Sequence, residues 1–102
     1  MIPKKIKIGG MVYTVIFDKT IQRDRGAYGE ACGNTLQIRL DDNYPSHIKE
    51  TTFVHELIEA MNFVYPLKLI HDQILLLETA LYQVIKDNPG IFNFEENNVD
   101  NE

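Results

Sequence analysis

The order of hydrophobic patterns predicts an α+β fold, with a small antiparallel sheet of two hairpins followed by two helices. Three observations carry this. Short alternating runs fill the first forty residues. Gly9-Gly10 and Gly33-Asn34 fall between them as turn signals. Two long stripes of helical period follow, each ended by a proline-bearing breaker.

The first run is Lys4-Lys5-Ile6-Lys7-Ile8, and its lysines read as a solvated strand edge. Gly9-Gly10 turns the chain into Met11–Phe17, closing the first hairpin. Residues 18–26 are polar and read as a loop. Residues 27–32 form a weaker strand interrupted by Gly29, and Gly33-Asn34 leads into the cleanly alternating Thr35–Leu40. Asp41–Pro45 breaks the pattern. Ser46 can then cap a helix reaching to about Phe63, with Val54, Leu57, Ile58 and Met61 as its apolar stripe. Tyr65-Pro66 ends that helix. A second helix runs from about His71 to Asp87, with Ile74, Leu77, Leu81, Val84 and Ile85 as its stripe, widened by Leu75, Leu76 and Ala80. Asn88-Pro89-Gly90 stops it. Sheet and second helix are each expected to cover a face of the first helix. Residues 1–94 thus read as one domain, and 95–102 as an acidic, disordered tail.

Charge narrows the function classes. The formal net charge is -5 over 102 residues, and Glu95, Glu96, Asp100 and Glu102 supply most of it. No basic face suggests nucleic acid, and no apolar run is long enough for a membrane span. The single cysteine, Cys32, excludes an internal disulfide and a cysteine-built zinc site. It reads as a small core residue. No signal-peptide pattern is visible at the N-terminus, so the expected location is the cytoplasm.

The chemistry concentrates in Val54-His55-Glu56-Leu57-Ile58-Glu59-Ala60. His55 and Glu59 stand four residues apart on one helix, so both side chains can reach one point beside it. Imidazole nitrogen and carboxylate oxygen are ordinary zinc ligands. Glu56 lies about 100° further round the helix. In the His-Glu-x-x-His motif of zinc peptidases the residue at that place is the general base. Here glutamate replaces the second histidine, which makes the site more anionic without removing its capacity for metal. A catalytic zinc needs three protein ligands and an open position. The expected third ligand is His71, returned toward the first helix by the short connection 64–70. Glu78, two turns further along, is the competing choice. The blander readings are specific too. His55 with Glu59 is a helix surface pair, Glu56 a solvated carboxylate, and His47 an exposed side chain. Tyr65 reads as an aromatic cap, and Met61 and Tyr82 as core residues.

The stretch Lys49–Asn62 resembles small phage and prophage proteins of a zincin-like type, minimal cousins of the ImmA/IrrE metallopeptidases. Ile70–Ile74 and Leu81–Asn88 are similar to that group as well, and Gly29-Glu30 with Thr35–Ile38 match its hairpin loosely. The resemblance spans about residues 27–88. Members carry histidine or glutamate at the position of Glu59. It implies a minimal zincin-like, zinc-binding fold with a protease-like site, in the host cytoplasm if the protein is phage-encoded.

The resulting expectation is a zinc-dependent hydrolase, a minimal metallopeptidase. Zn2+ is held by His55, Glu59 and His71, Glu56 acts as general base, and a peptide or protein is the substrate or partner. Strand 35–40 is expected to offer its edge to an extended peptide. The alternative is a non-enzymatic accessory protein with a structural or vestigial metal site.

Overall fold

The computed structural model describes residues 2–21 and 28–94. The expected acidic tail over 95–102 lies outside them, as does most of the expected loop 18–26. The fold is α+β: strands β1 (Lys5–Ile8), β2 (Met11–Asp18), β3 (Gly29–Cys32) and β4 (Gln37–Asp41) precede helices α1 (Ser46–Val64) and α2 (His71–Asp87).

Both hairpins form. Gly9 and Gly10 take φ of 56° and 88°, which side-chain-bearing residues rarely adopt, and they turn β1 back along β2 with Ile8 opposite Met11. β3 and β4 pair antiparallel with Gly29 opposite Leu40. The two hairpins then join along a parallel β2–β4 pairing, Val15 opposite Ile38, so the sheet is mixed with order β1-β2-β4-β3. This placement corrects one expectation. β4 is inside the sheet with both sides paired, so strand 35–40 has no edge to offer. The edges are β1, with Lys5 and Lys7 exposed, and β3.

One face of the sheet packs on α1. Ile8, Tyr13, Val15, Ile38 and Leu40 are buried there with Ala60 of α1, and Leu57 and Met61 pack alongside. On another side of α1, Val54 and Ile58 bury Ile74 of α2, flanked by Leu69 and Tyr82. The helix is therefore covered on both sides, as its apolar stripe requires.

Three details depart from the sequence reading. Ser46 is the first helical residue rather than the cap. Pro45 occupies the cap position in extended conformation, without a side-chain cap bond. Tyr65 is half exposed, so it does not close the core. And the stripe of α2 is mostly unburied: Ile74 is 2% exposed, whereas Leu76 is 73% and Leu77, Leu81, Val84 and Ile85 are also exposed. Only the α1-facing side of α2 finds a partner among the described residues. Cys32 is partly buried at the end of β3, and His47 is exposed as expected.

Candidate metal centre

Helix α1 carries His55, Glu56 and Glu59 on the side that faces β3 and the start of α2. His55 Nε2 lies 3.3 Å from Glu59 Oε2, one helical turn away. His55 Nδ1 lies 2.8 Å from Glu78 Oε1 of α2. Each ring nitrogen of His55 thus faces a carboxylate, and with the proton on Nδ1 bonded to Glu78, Nε2 on the Glu59 side has the lone pair a ligand needs. His71, the first residue of α2, sets its ring edge-on to that of His55 with centroids 5.8 Å apart. The structure thus brings the three expected ligand residues together: one ligand atom from each of His55, Glu59 and His71 falls within 4.8 Å of the others.

The chemistry of this donor set, and one of its edges, are compatible with zinc. Ligands about 2.0–2.2 Å from a tetrahedral zinc stand roughly 3.4 Å apart. The His55–Glu59 separation of 3.3 Å matches that edge. Two imidazoles and a carboxylate make a three-ligand set of the kind found in open zinc sites. Glu78 stands behind His55 on the opposite ring nitrogen. A carboxylate there fixes the ring's orientation and tautomer and makes Nε2 a better donor. Of the two competing residues, His71 groups its ligand atom with those of His55 and Glu59, while Glu78 lies on the other ring nitrogen of His55.

Glu56 is not the solvated carboxylate of the bland reading. It is 8% exposed, and burial pushes its pKa up from 4.5 to about 7. The His55 ring opposes that rise, while the carboxylates of Glu59, Glu30 and Glu78 add to it. The local reason is Gly29. A Cβ at that position would lie 2.7 Å from Thr52 Cγ2, 2.9 Å from the Arg39 carbonyl oxygen and 3.3 Å from Glu56 Cγ. Only a glycine lets β3 come this close to α1, and the close approach encloses Glu56. The glycine that weakened the strand pattern is what the site uses.

A cleft of about 560 Å³ opens beside Glu56, lined by Gly29, Glu30, Ala31, His55, Glu59, Asn62 and Phe63. A second, of about 580 Å³, lies on the other side of the same residues and is lined by Tyr28, Thr51, Thr52, His71, Leu75 and Glu78 among others. Both share Gly29, His55 and Glu56. The first cleft forms a groove beside Glu56 with edge strand β3 along one wall at Gly29, Glu30 and Ala31. Sequence reasoning missed Asn62, whose side chain reaches across to the backbone of the α1–α2 connection at Leu69. A polar side chain one turn beyond Glu59, before an irregular connection, was the available signal.

No protein-family model matches the chain, and no curated protein or solved structure matches it either.

Proposed function

We propose that this protein is a zinc-dependent hydrolase, a minimal metallopeptidase of the zincin-like kind seen in small phage proteins. The observation that carries the reading is the convergence of His55, Glu59 and His71 donor atoms to within 4.8 Å of one another. Glu78 on His55 Nδ1 and Glu56 in the same groove support it. Zinc held by this set would supply Lewis-acid polarisation of the scissile carbonyl.

The chain's own residues do the rest. Glu56, with a pKa near neutrality, takes a proton from the attacking water and returns it to the leaving amine as the C–N bond breaks. A bound dication would oppose the rise in its pKa and keep the carboxylate ready as a base. Glu78 keeps the His55 ring in place. The outer edge of β3, the last strand of the sheet among the described residues, borders the groove and suits an extended peptide adding a strand.

The first test is metal content after purification without chelator. About one zinc per chain, lost in His55→Ala, is the expected result, and a chain free of metal under those conditions refutes the site. The second is Glu56→Gln, which should keep zinc and abolish cleavage of a peptide library. Retained cleavage would remove Glu56 from the role of base.

One observation favours a second reading, a non-enzymatic interaction protein in which any metal is structural or vestigial. Helix α2 leaves Leu76, Leu77, Leu81 and Val84 exposed, an apolar face of the sort that partners cover. No cleavage of any library peptide by the zinc-loaded protein would decide for that reading; unfolding in EDTA would then mark the metal as structural, and an unaltered fold would mark it as vestigial.

A further inference from the structure

The connection between the helices, residues 65–70, sets where α2 begins, and α2 begins with His71. This connection is irregular. Lys68 has φ of 62°, in the left-handed region that side-chain-bearing residues rarely occupy. Such a turn does not hold itself; the surrounding structure must impose it. The Leu67 N–H donates to the Asn62 backbone carbonyl at 3.2 Å and the Ile70 N–H to Gln73 Oε1 at 2.9 Å, and the side-chain contact nearest Lys68 comes from α1. The Leu69 N–H donates to Asn62 Oδ1 at 2.9 Å, and Asn62 Nδ2 donates to the Leu69 carbonyl at 3.1 Å. Both bonds fall on the backbone of one residue, next to Lys68 and two positions before His71.

The other polar ties between the helices act elsewhere. The Tyr82 hydroxyl donates to Glu50 at 2.8 Å, and Lys86 lies 3.4 Å from the same carboxylate. Tyr82 is eleven residues along α2 from His71, about 16 Å by helical rise. The His55–Glu78 bond fixes the ring of His55 rather than that of His71. Asn62 is also on the same side of α1 as Glu59, three residues later, and lines the cleft.

We infer that Asn62 is the positioning residue that places His71 against His55, by clamping the connection at Leu69 with both ends of its amide. Its contribution to metal binding rests on the function proposed above. Its contribution to the placement of His71 does not.

The experiment reads both. In the metal-free protein, ring protons of His55 and His71 should give a cross-relaxation peak in NMR, since the ring centroids are 5.8 Å apart. Asn62→Ala should lose that peak while Tyr82→Phe, which also removes an interhelical hydrogen bond, should keep it. A peak undiminished in Asn62→Ala, or lost equally in Tyr82→Phe, overturns the inference. Should Asn62→Ala fail to fold, Asn62→Asp retains an acceptor for the Leu69 N–H but loses the donor; it should give a weakened peak, and full intensity overturns the inference. The second readout is zinc affinity. Asn62→Ala should weaken it roughly tenfold or more, the scale seen when groups orienting a ligand are removed. In a His71→Ala background the same substitution should have no further effect, because the residue acts through His71. An equal loss in that background overturns the inference. Wild-type protein that binds no zinc refutes the proposed function, while the ring-proton peak still decides the role of Asn62.

Discussion

His55 Nδ1 lies 2.8 Å from Glu78 Oε1, and this bond ties the His55 ring on α1 to the middle of α2. It turns Nε2 toward Glu59. Removing the carboxylate frees the ring to rotate without removing any of the three expected ligands. Glu78→Ala is therefore expected to weaken zinc binding by roughly 10–100-fold, whereas His55→Ala abolishes it. Competition titration against a chromophoric chelator separates the two. Abolition by Glu78→Ala would instead make Glu78 a direct ligand.

Burial of Glu56 carries a pH signature in the metal-free protein. Its folded-state pKa is raised from 4.5 to about 7. A raised pKa means that folding favours the protonated form. Stability is fully present below pH 4.5, falls as the pH rises toward 7, and stays low above that. At about 1.36 kcal/mol per unit the loss is on the order of 3 kcal/mol. Glu56→Gln removes the titration and keeps the shape. In EDTA at pH 8 it should unfold at higher urea than the wild type, and at pH 4 the two should coincide. Equal midpoints at pH 8 would show that Glu56 is solvated.

Gly29→Ala tests the close approach of β3 to α1. The added Cβ meets Thr52 Cγ2 at 2.7 Å and a backbone oxygen of β4 at 2.9 Å, and the backbone oxygen has nowhere to retreat. Overpacking of this kind costs about 1–3 kcal/mol. The melting temperature should drop by about 4–8 °C for each kcal/mol in a chain of this size. An unchanged melting temperature would mean that β3 stands further from α1 than described.

Asp18 gives the opposite pH dependence. Hydrogen bonds from the Thr20 hydroxyl and backbone, together with the Arg39 guanidinium from the neighbouring strand, pull its pKa down from 3.8 to about 2. A depressed pKa stabilises the fold above pH 3.8, and the contribution is lost as the pH falls through about 2. Asp18→Asn should thus lower the urea midpoint at pH 6 and narrow its difference from the wild type toward pH 2. A constant difference over that range would separate the effect from ionisation.

The sequence by itself determined the elements and the local half of the site. Alternation with the turn signals Gly9-Gly10 and Gly33-Asn34 marked both hairpins, and helical spacing put His55 and Glu59 on one face of α1, because these relations are local to the chain. His71 at the head of the second helix was legible for the same reason. The tertiary structure decided what lies between elements. It inserted β4 between β2 and β3, which put β3 rather than strand 35–40 at that end of the sheet. Gly29 brought β3 close enough to bury Glu56. Glu78 was turned onto Nδ1 of His55, and Asn62 was laid across the connection that carries His71. None of these has a period to read. Each depends on how closely two elements approach and at what angle, and packing of the whole chain sets both.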